Sequence, residues 1–267
     1  MTESTDGVAL ATTDGVLQIR LDRPARKNAL DVAAIARVVA ALEAAAVDDG
    51  LRAVVIRGAG DDFCAGADWV ASNSAAGPRP RTGSIQRRTP LQAHRLVQLV
   101  VEVQLPVVCA VRGWAAGLGC QLALAADFTV ATESSRFWEP FLRRGFSPDS
   151  GATWLLPRLV GVARAKELLL LGRELSGPEA AEWGLIHRAV PDAELDATVD
   201  GLVAELAGAA TVALGLTKRA IHRGLESSLG EAMETEANAL ELSSRTADFK
   251  EGLTAFREGR PPRFEGR

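Results

Sequence analysis

Two segments of this chain combine an apolar, strand-like run with a turn of small residues that opens a helix. The run at 53–56 precedes the turn FCAGAD at 63–68, and the run at 107–111 precedes the turn GWAAGLGCQ at 113–121. A backbone N–H at the start of a helix has no partner within that helix. Small residues let a ligand oxygen approach the backbone closely. If the two turns lie side by side, they predict two N–H donors aimed at one point, which is an oxyanion hole.

The pattern along the chain predicts alternating strands and helices up to residue 191, and helices alone from Asp192 onward. Asp31 is a suitable N-cap for a helix reaching about residue 47, and Ser150 for a helix reaching about residue 160. Prolines, glycines and arginines within 72–90 predict a mobile loop. The order of elements therefore predicts an α/β core over 1–191 and a helical region over 192–267.

Composition narrows the class of protein. The chain has 267 residues, is 47% hydrophobic and carries a formal net charge of −4. A sizeable core is therefore expected, while nucleic-acid and membrane-surface binding are not. The chain has 3 cysteines, and none of them has the spacing of metal ligands. An odd number of cysteines behind a polar N-terminus without a leader pattern predicts a cytoplasmic protein without disulfides or a metal site.

Five motifs in a fixed order carry a resemblance to a known family. They are the two turns, DRP with NAL within 22–30, EA with WGLI within 179–186, and KEGLTAF at 250–256. Together they resemble the crotonase, or enoyl-CoA hydratase/isomerase, superfamily over nearly the whole chain. The resemblance implies a spiral of ββα units with a C-terminal helical region. It also implies homotrimers or hexamers in which that region forms contacts between subunits and part of the CoA site.

The family resemblance also implies the chemistry. Family members bind acyl-CoA thioesters, and two backbone N–H groups hold the thioester oxygen as it gains enolate charge. By position, the donors in this chain are Ala65 and Leu118. Coenzyme A is part of the substrate, so no separate cofactor is expected.

The two glutamates of the family's hydratases are absent. Their positions fall on Gln121 and Phe141. Glutamine can hold a water molecule but cannot accept a proton at neutral pH, and phenylalanine can do neither. Ordinary hydratase chemistry is therefore not expected.

Asp149 stands where family members that move double bonds, or displace an aryl halide, carry a catalytic aspartate. Nearby aromatic residues are expected to remove water from its carboxylate and to raise its pKa. A raised pKa suits a base that takes a proton from one carbon and returns it to another. The alternative is that Asp149 only caps the following helix.

Glu139 and His94 are possible accessory residues. On extended backbone, Glu139 shares a face with position 141, although a surface or interface salt bridge is the simpler interpretation. His94 matches a histidine of the halide-displacing members, and a partly buried structural histidine is the alternative.

Residues expected to bind CoA follow from the same resemblance. They are Arg23, Arg26 and Lys27 around the first motif, Ala65 and Asp68 in the first turn, and Lys218 and Arg260 near the C-terminus. The leading hypothesis is an enoyl-CoA isomerase. The alternatives are a hydratase or lyase with atypical acids, dehalogenase-like hydrolysis of an aryl-CoA, and acyl-CoA binding without catalysis.

Overall fold

The computed structural model describes residues 4–68 and 81–267. The strands of this part are β1 (Ser4–Thr5), β2 (Val8–Thr13), β3 (Val16–Leu21), β4 (Ala53–Gly58), β5 (Val107–Val111), β6 (Trp114–Ala116), β7 (Phe128–Thr132), β8 (Arg136–Trp138), β9 (Glu174–Ser176) and β10 (Arg188–Val190). The helices are α1 (Val32–Ala45), α2 (Ser84–Arg88), α3 (Ala93–Glu102), α4 (Leu118–Ala125), α5 (Ala152–Leu171), α6 (Gly177–Glu182), α7 (Leu195–Ala207), α8 (Thr211–Gly224), α9 (Leu229–Ser243) and α10 (Ala247–Glu258). Short 3-10 helices occupy Pro24–Arg26, Thr89–Leu91, Leu142–Arg144 and Asp192–Glu194.

The strands of the described part form two sheets. The larger has the order β1-β2-β3-β4-β5-β7-β10, and the smaller has the order β6-β8-β9. From β3 to β10 the larger sheet is parallel. Because the carboxyl ends of neighbouring parallel strands meet at one edge of a sheet, the segments that follow β4 and β5 leave the same edge. The two small-residue turns predicted from the sequence follow these two strands.

Side chains of β4 alternate between two separate apolar clusters. Val54 and Ile56 pack with α1, α3 and α4. Ala53 and Val55 pack on the other face, against α7. A parallel strand covered on both faces is continuously apolar, as this strand is in the sequence.

The first helix beyond residue 191 forms one of the layers that cover the sheet. Leu195, Val199 and Val203 of α7 join the apolar cluster on the sheet. In contrast, α9 contains no buried residue. The core layer therefore extends past the predicted boundary at 191, while the division of the chain into two regions stays a prediction.

Helix starts agree with the sequence at some places and differ at others. Asp31 caps α1 as predicted, since its side chain accepts a hydrogen bond of 2.9 Å from the N–H of Ala34. The predicted cap of α5 by Ser150 is wrong. Its N-cap is Gly151, in the left-handed region with a φ of 86°, and no side chain caps the helix.

The predicted loop at 72–90 is partly corrected. A left-handed Gly83 leads into α2, and a 3-10 helix with a proline in its first turn follows. Residues 72–80, together with Trp69, lie outside the described residues.

Over the described ranges, no single helix is long and apolar enough to cross a membrane. The helices Asp192–Ala207 and Thr211–Gly224 pass that test only as a pair, and they are bent by 104° at their junction. Within residues 4–68 and 81–267, no group of three or more His, Cys, Asp or Glu side chains is placed to hold a metal ion.

Candidate active site

The two small-residue turns lie side by side. Cys64 N–H donates to the Trp114 carbonyl at 2.8 Å, and Ala116 N–H donates to the Cys64 carbonyl at 2.9 Å. A Cβ at Gly66 would lie 2.7 Å from the Ala116 carbonyl oxygen and 3.4 Å from the Leu118 nitrogen. Only glycine permits this approach, since real Cβ contacts are longer. These contacts confirm the predicted pairing of the turns.

Two backbone N–H groups of the paired turns, those of Ala67 and Leu118, have no acceptor among the described residues. Ala65 N–H is already bonded to the Lys27 carbonyl at 2.9 Å, which contradicts its predicted role as a donor to the substrate. Among the described residues, no acceptor takes the N–H of Ala67, or that of Leu118 at the start of α4. Ala67 and Leu118 line the same cleft, so both N–H groups are open to a ligand there.

A buried asparagine that the sequence analysis gave no role holds the first turn in place. Asn28 is 1% exposed. Its amide nitrogen donates to the Ala59 carbonyl at 2.9 Å and the Asp62 carbonyl at 2.6 Å. This fixes the segment whose Lys27 carbonyl engages Ala65. Its place inside the NAL motif was the available signal.

Three carboxylates line the cleft between the turns, and two of them are engaged. Asp31 caps α1 and forms a 3.1 Å salt bridge with Arg23. Asp68 forms salt bridges of 3.1 Å with Arg23 and 4.0 Å with Arg26. Both groups therefore already have structural partners.

Asp149 is the third carboxylate of the cleft. In the described part of the chain it has no salt bridge within 4.0 Å. Burial raises the pKa of Asp149 above its ordinary value, while Ser150 and the charge of His94 oppose the shift. Asp149 is therefore the carboxylate best suited to accept a proton.

Backbone geometry excludes the capping interpretation of Asp149. Ser150 and Gly151 are both in the left-handed region, with φ of 51° and 86°. A non-glycine residue in this region stores about 1–3 kcal/mol of strain, and such strain often occurs at functional sites. The two residues turn the chain between Asp149 and the first turn of α5, which no side chain caps.

Gln121 and Glu139 form a buried pair beside the cleft. They are 0% and 2% exposed, and the Gln121 amide donates to the two Glu139 oxygens at 2.9 Å and 2.7 Å. The predicted surface or interface salt bridge of Glu139 is therefore wrong. Burial and the charge of Asp149 raise the pKa of Glu139 to about 8, against hydrogen bonds from Cys120 and Gln121.

Phe141 and His94 occupy different surroundings. Phe141 is a buried wall of the cleft and packs edge-to-face on Phe146, with ring centroids 5.6 Å apart. His94 is exposed on α3, so the expectation of a partly buried histidine is wrong. Its charge nevertheless acts on Asp149.

The basic residues of the first motif divide into one structural residue and two accessible ones. Arg23 donates to the Ala29 carbonyl at 2.7 Å, in addition to its bonds with Asp31 and Asp68. Arg26 and Lys27 each keep 56% of the side chain exposed. Of these three residues, Arg26 and Lys27 present the more accessible cations.

The two residues predicted to contact phosphates near the C-terminus already have partners within the chain. Lys218 is 6% exposed, and its ammonium donates to the Val100 and Leu105 carbonyls and to Asp127, the last at 2.7 Å. Arg260 uses its three guanidinium nitrogens on Glu251 and Glu258.

Known proteins of one family match nearly the whole chain. The sequence profile of the family described as enoyl-CoA hydratase/isomerase matches residues 11–267. A 1,2-epoxyphenylacetyl-CoA isomerase of Escherichia coli is 39% identical over 95% of this chain and 96% of its own. A probable enoyl-CoA hydratase of Rhodobacter capsulatus is 40% identical over 96% of each chain. The crystal structure of an enoyl-CoA hydratase from Bacillus anthracis superposes with a TM-score of 0.91 at 32% identity, covering 98% of this chain and 100% of that one.

Proposed function

The chain belongs to the enoyl-CoA hydratase/isomerase family, and from this premise we propose that it shifts the double bond of an enoyl-CoA thioester, with Asp149 as the acid/base. One observation carries the proposal. Of the carboxylates in the cleft, Asp149 has neither a salt bridge nor a capping role, and its pKa is raised by burial. The relative from Escherichia coli, whose name describes an isomerase, supports the same class of reaction.

In the proposed reaction, the thioester oxygen accepts hydrogen bonds from the N–H groups of Ala67 and Leu118. Asp149 removes a proton from the carbon chain, and the electron pair of that C–H bond is delocalised into an enolate. The two donors stabilise the charge on the oxygen. Asp149 then returns the proton to a different carbon, so the double bond has moved and no other reactant is consumed. Arg26 and Lys27 supply cations for the CoA phosphates.

The same surroundings argue against efficient hydration. Adding water requires a group that activates the water and a group that protonates carbon. Gln121 donates its amide to Glu139, and Phe141 is a hydrophobic wall, so neither family position supplies a carboxylate.

Replacing Asp149 by asparagine tests the role of the carboxylate. Asn keeps the size of the side chain but cannot accept the proton, so isomerisation of a 3-enoyl-CoA should fall at least about a hundredfold. Exchange of the substrate's α-protons in D₂O should fall in parallel. Stability and CoA affinity should stay near those of the parent, because Asp149 has no capping role. Asp49→Asn, at an exposed site, is the matched control. Full activity in Asp149→Asn would overturn the proposal.

A second candidate is hydrolytic displacement on an aryl-CoA. The observation that favours it is the positive charge of His94 acting on Asp149. The Asp149 carboxylate would attack the ring carbon and expel a halide, and water activated by His94 would cleave the resulting ester. A panel of 4-haloaryl-CoA and 3-enoyl-CoA substrates, followed by mass, separates the two reactions.

Exposed apolar side chains on the last two helices support assembly into a homotrimer or hexamer. Large exposed apolar patches mark interaction sites. The side chains are Leu229, Met233, Leu240, Leu242, Phe249, Leu253 and Phe256. Copies of the same chain are the proposed partners.

A further inference from the structure

We propose that Glu139 is a positioning residue for Asp149 and that the reaction requires the neutral carboxyl form of Glu139. The negative charge that Glu139 gains on ionisation acts on Asp149 and sets the alkaline limit of activity. This inference rests on the proposed role of Asp149 as the base. Glu139 does not line the cleft and does not touch the substrate, so it acts through Asp149.

The geometry around Glu139 favours a neutral carboxyl group. The side chain is 2% exposed, and no Lys, Arg or His within the described residues forms a salt bridge with it. The Gln121 amide contacts both of its oxygens, at 2.9 Å and 2.7 Å. A buried carboxylate with amide and thiol donors but no cation is costly, and protonation relieves that cost.

Burial and the charge of Asp149 raise the pKa of Glu139, while the hydrogen bond from the Cys120 thiol opposes the shift. On α4, the Cys120 thiol is buried, and its pKa is raised well above the ordinary value by burial and by the charge of Glu139. Before α5, the charge of Asp149 raises the pKa of Glu139. The exposed His94 acts on Asp149 rather than on Glu139. The charge of Asp149 therefore opposes ionisation of Glu139.

The consequence for the reaction follows from where charge develops. Leu118, the proposed donor to the enolate oxygen, and Gln121, the partner of Glu139, lie in the first turn of the same helix. An ionised Glu139 would place a second negative charge near both Asp149 and the enolate. Like charges at this range oppose the transition state, so the rate falls when Glu139 loses its proton.

The pH profile of the reaction tests the proposal. With a pKa of about 8 for Glu139, kcat/KM of the unchanged protein should fall about tenfold between about pH 7.5 and pH 9. Glu139→Gln is neutral at every pH and should lose this alkaline limb. Glu139→Met, neutral without an amide, is the second variant. Glu133→Gln, at an exposed site in the turn between β7 and β8, should keep the limb. An unchanged limb in both Glu139 variants would overturn the inference.

A measurement without substrate separates failure of this inference from failure of the proposed function. The raised pKa means that the folded state holds the proton more tightly than the unfolded state. Glu139 therefore costs stability increasingly as pH rises from its ordinary pKa to about 8. The unfolding midpoint of Glu139→Gln should rise relative to the parent between about pH 5 and pH 8 and then level off, and that of Glu133→Gln should not. In an Asp149→Asn background, the rise should end at a lower pH, because the pKa of Glu139 in the folded state is lower without the charge of Asp149. A difference in unfolding midpoint between Glu139→Gln and the parent that does not change with pH would refute the inference, whatever reaction the protein catalyses.

Discussion

Replacing Leu118 by proline removes one proposed oxyanion donor with little other change to the backbone. Leu118 is the first residue of α4, where proline is tolerated because the missing N–H has no intrahelical partner. Since no protein acceptor takes this N–H in the described residues, only the bound thioester oxygen should lose a hydrogen bond. Removing one such donor costs about 2.7–4 kcal/mol of transition-state stabilisation, or about 10²–10³ in kcat.

Leu118→Ala is the matched control because it removes the same side chain but keeps the N–H. The leucine is 3% exposed, so either variant should lose about 2–5 kcal/mol of stability through the cavity it leaves. The ratio of the two kcat values therefore isolates the backbone donor. The assay is 3-enoyl-CoA isomerisation, together with α-proton exchange in D₂O, at a temperature well below both unfolding midpoints. A proline variant that matches the alanine variant within about threefold, far less than loss of a donor predicts, would refute the assignment of Leu118.

Three further predictions concern specificity, stability and assembly. Crotonyl-CoA hydration should be slower than in a two-glutamate hydratase by about 10²–10⁴, and comparable turnover would show that the acids are wrongly assigned. Lys218→Met should destabilise the fold by about 3–5 kcal/mol, because it leaves the charge of Asp127 unpaired, yet it should leave CoA affinity unchanged. Lys166→Met, at an exposed site, is the control and should alter the free energy of unfolding by less than about 0.5 kcal/mol. Loss of CoA affinity at unchanged stability in Lys218→Met would contradict the structural role of Lys218. Light scattering should give a trimer or hexamer, and a monomer at micromolar concentration would exclude it.

The sequence predicted the main strands and helices because each carries its own periodicity or cap. The apolar character of β4 indicates burial on both faces, and Asp31 indicates the start of α1. The strands β6, β8 and β9 have three residues each, which is too short for an alternating pattern to be visible. The packing of α7 on the sheet could not be predicted either, because an amphipathic helix does not specify which surface covers it.

Local pattern located the active site but did not identify the donor. The small residues at 63–68 show that the backbone is open to a ligand, whereas the free N–H depends on a distant segment. Lys27 supplies the carbonyl that engages Ala65, and its position is fixed by the buried amide of Asn28. Such a contact between separate segments has no signature in the turn itself, so the turn alone does not show that the Ala65 N–H already has an acceptor.

The carboxylates of the site show why residue type at a family position is an incomplete guide to chemistry. Asp31, Asp68 and Asp149 have the same side chain and line one cleft. In the described part of the chain, the first two form salt bridges with arginines, while Asp149 has none. Glu139 lies two positions from where the family's glutamate would stand. It is buried and forms no salt bridge within the described residues, and burial raises its pKa to about 8. In the proposed reaction, Asp149 is the proton acceptor and Glu139 is its neutral neighbour. Their surroundings set these two roles, because an environment that disfavours the charged form can shift a pKa by several units.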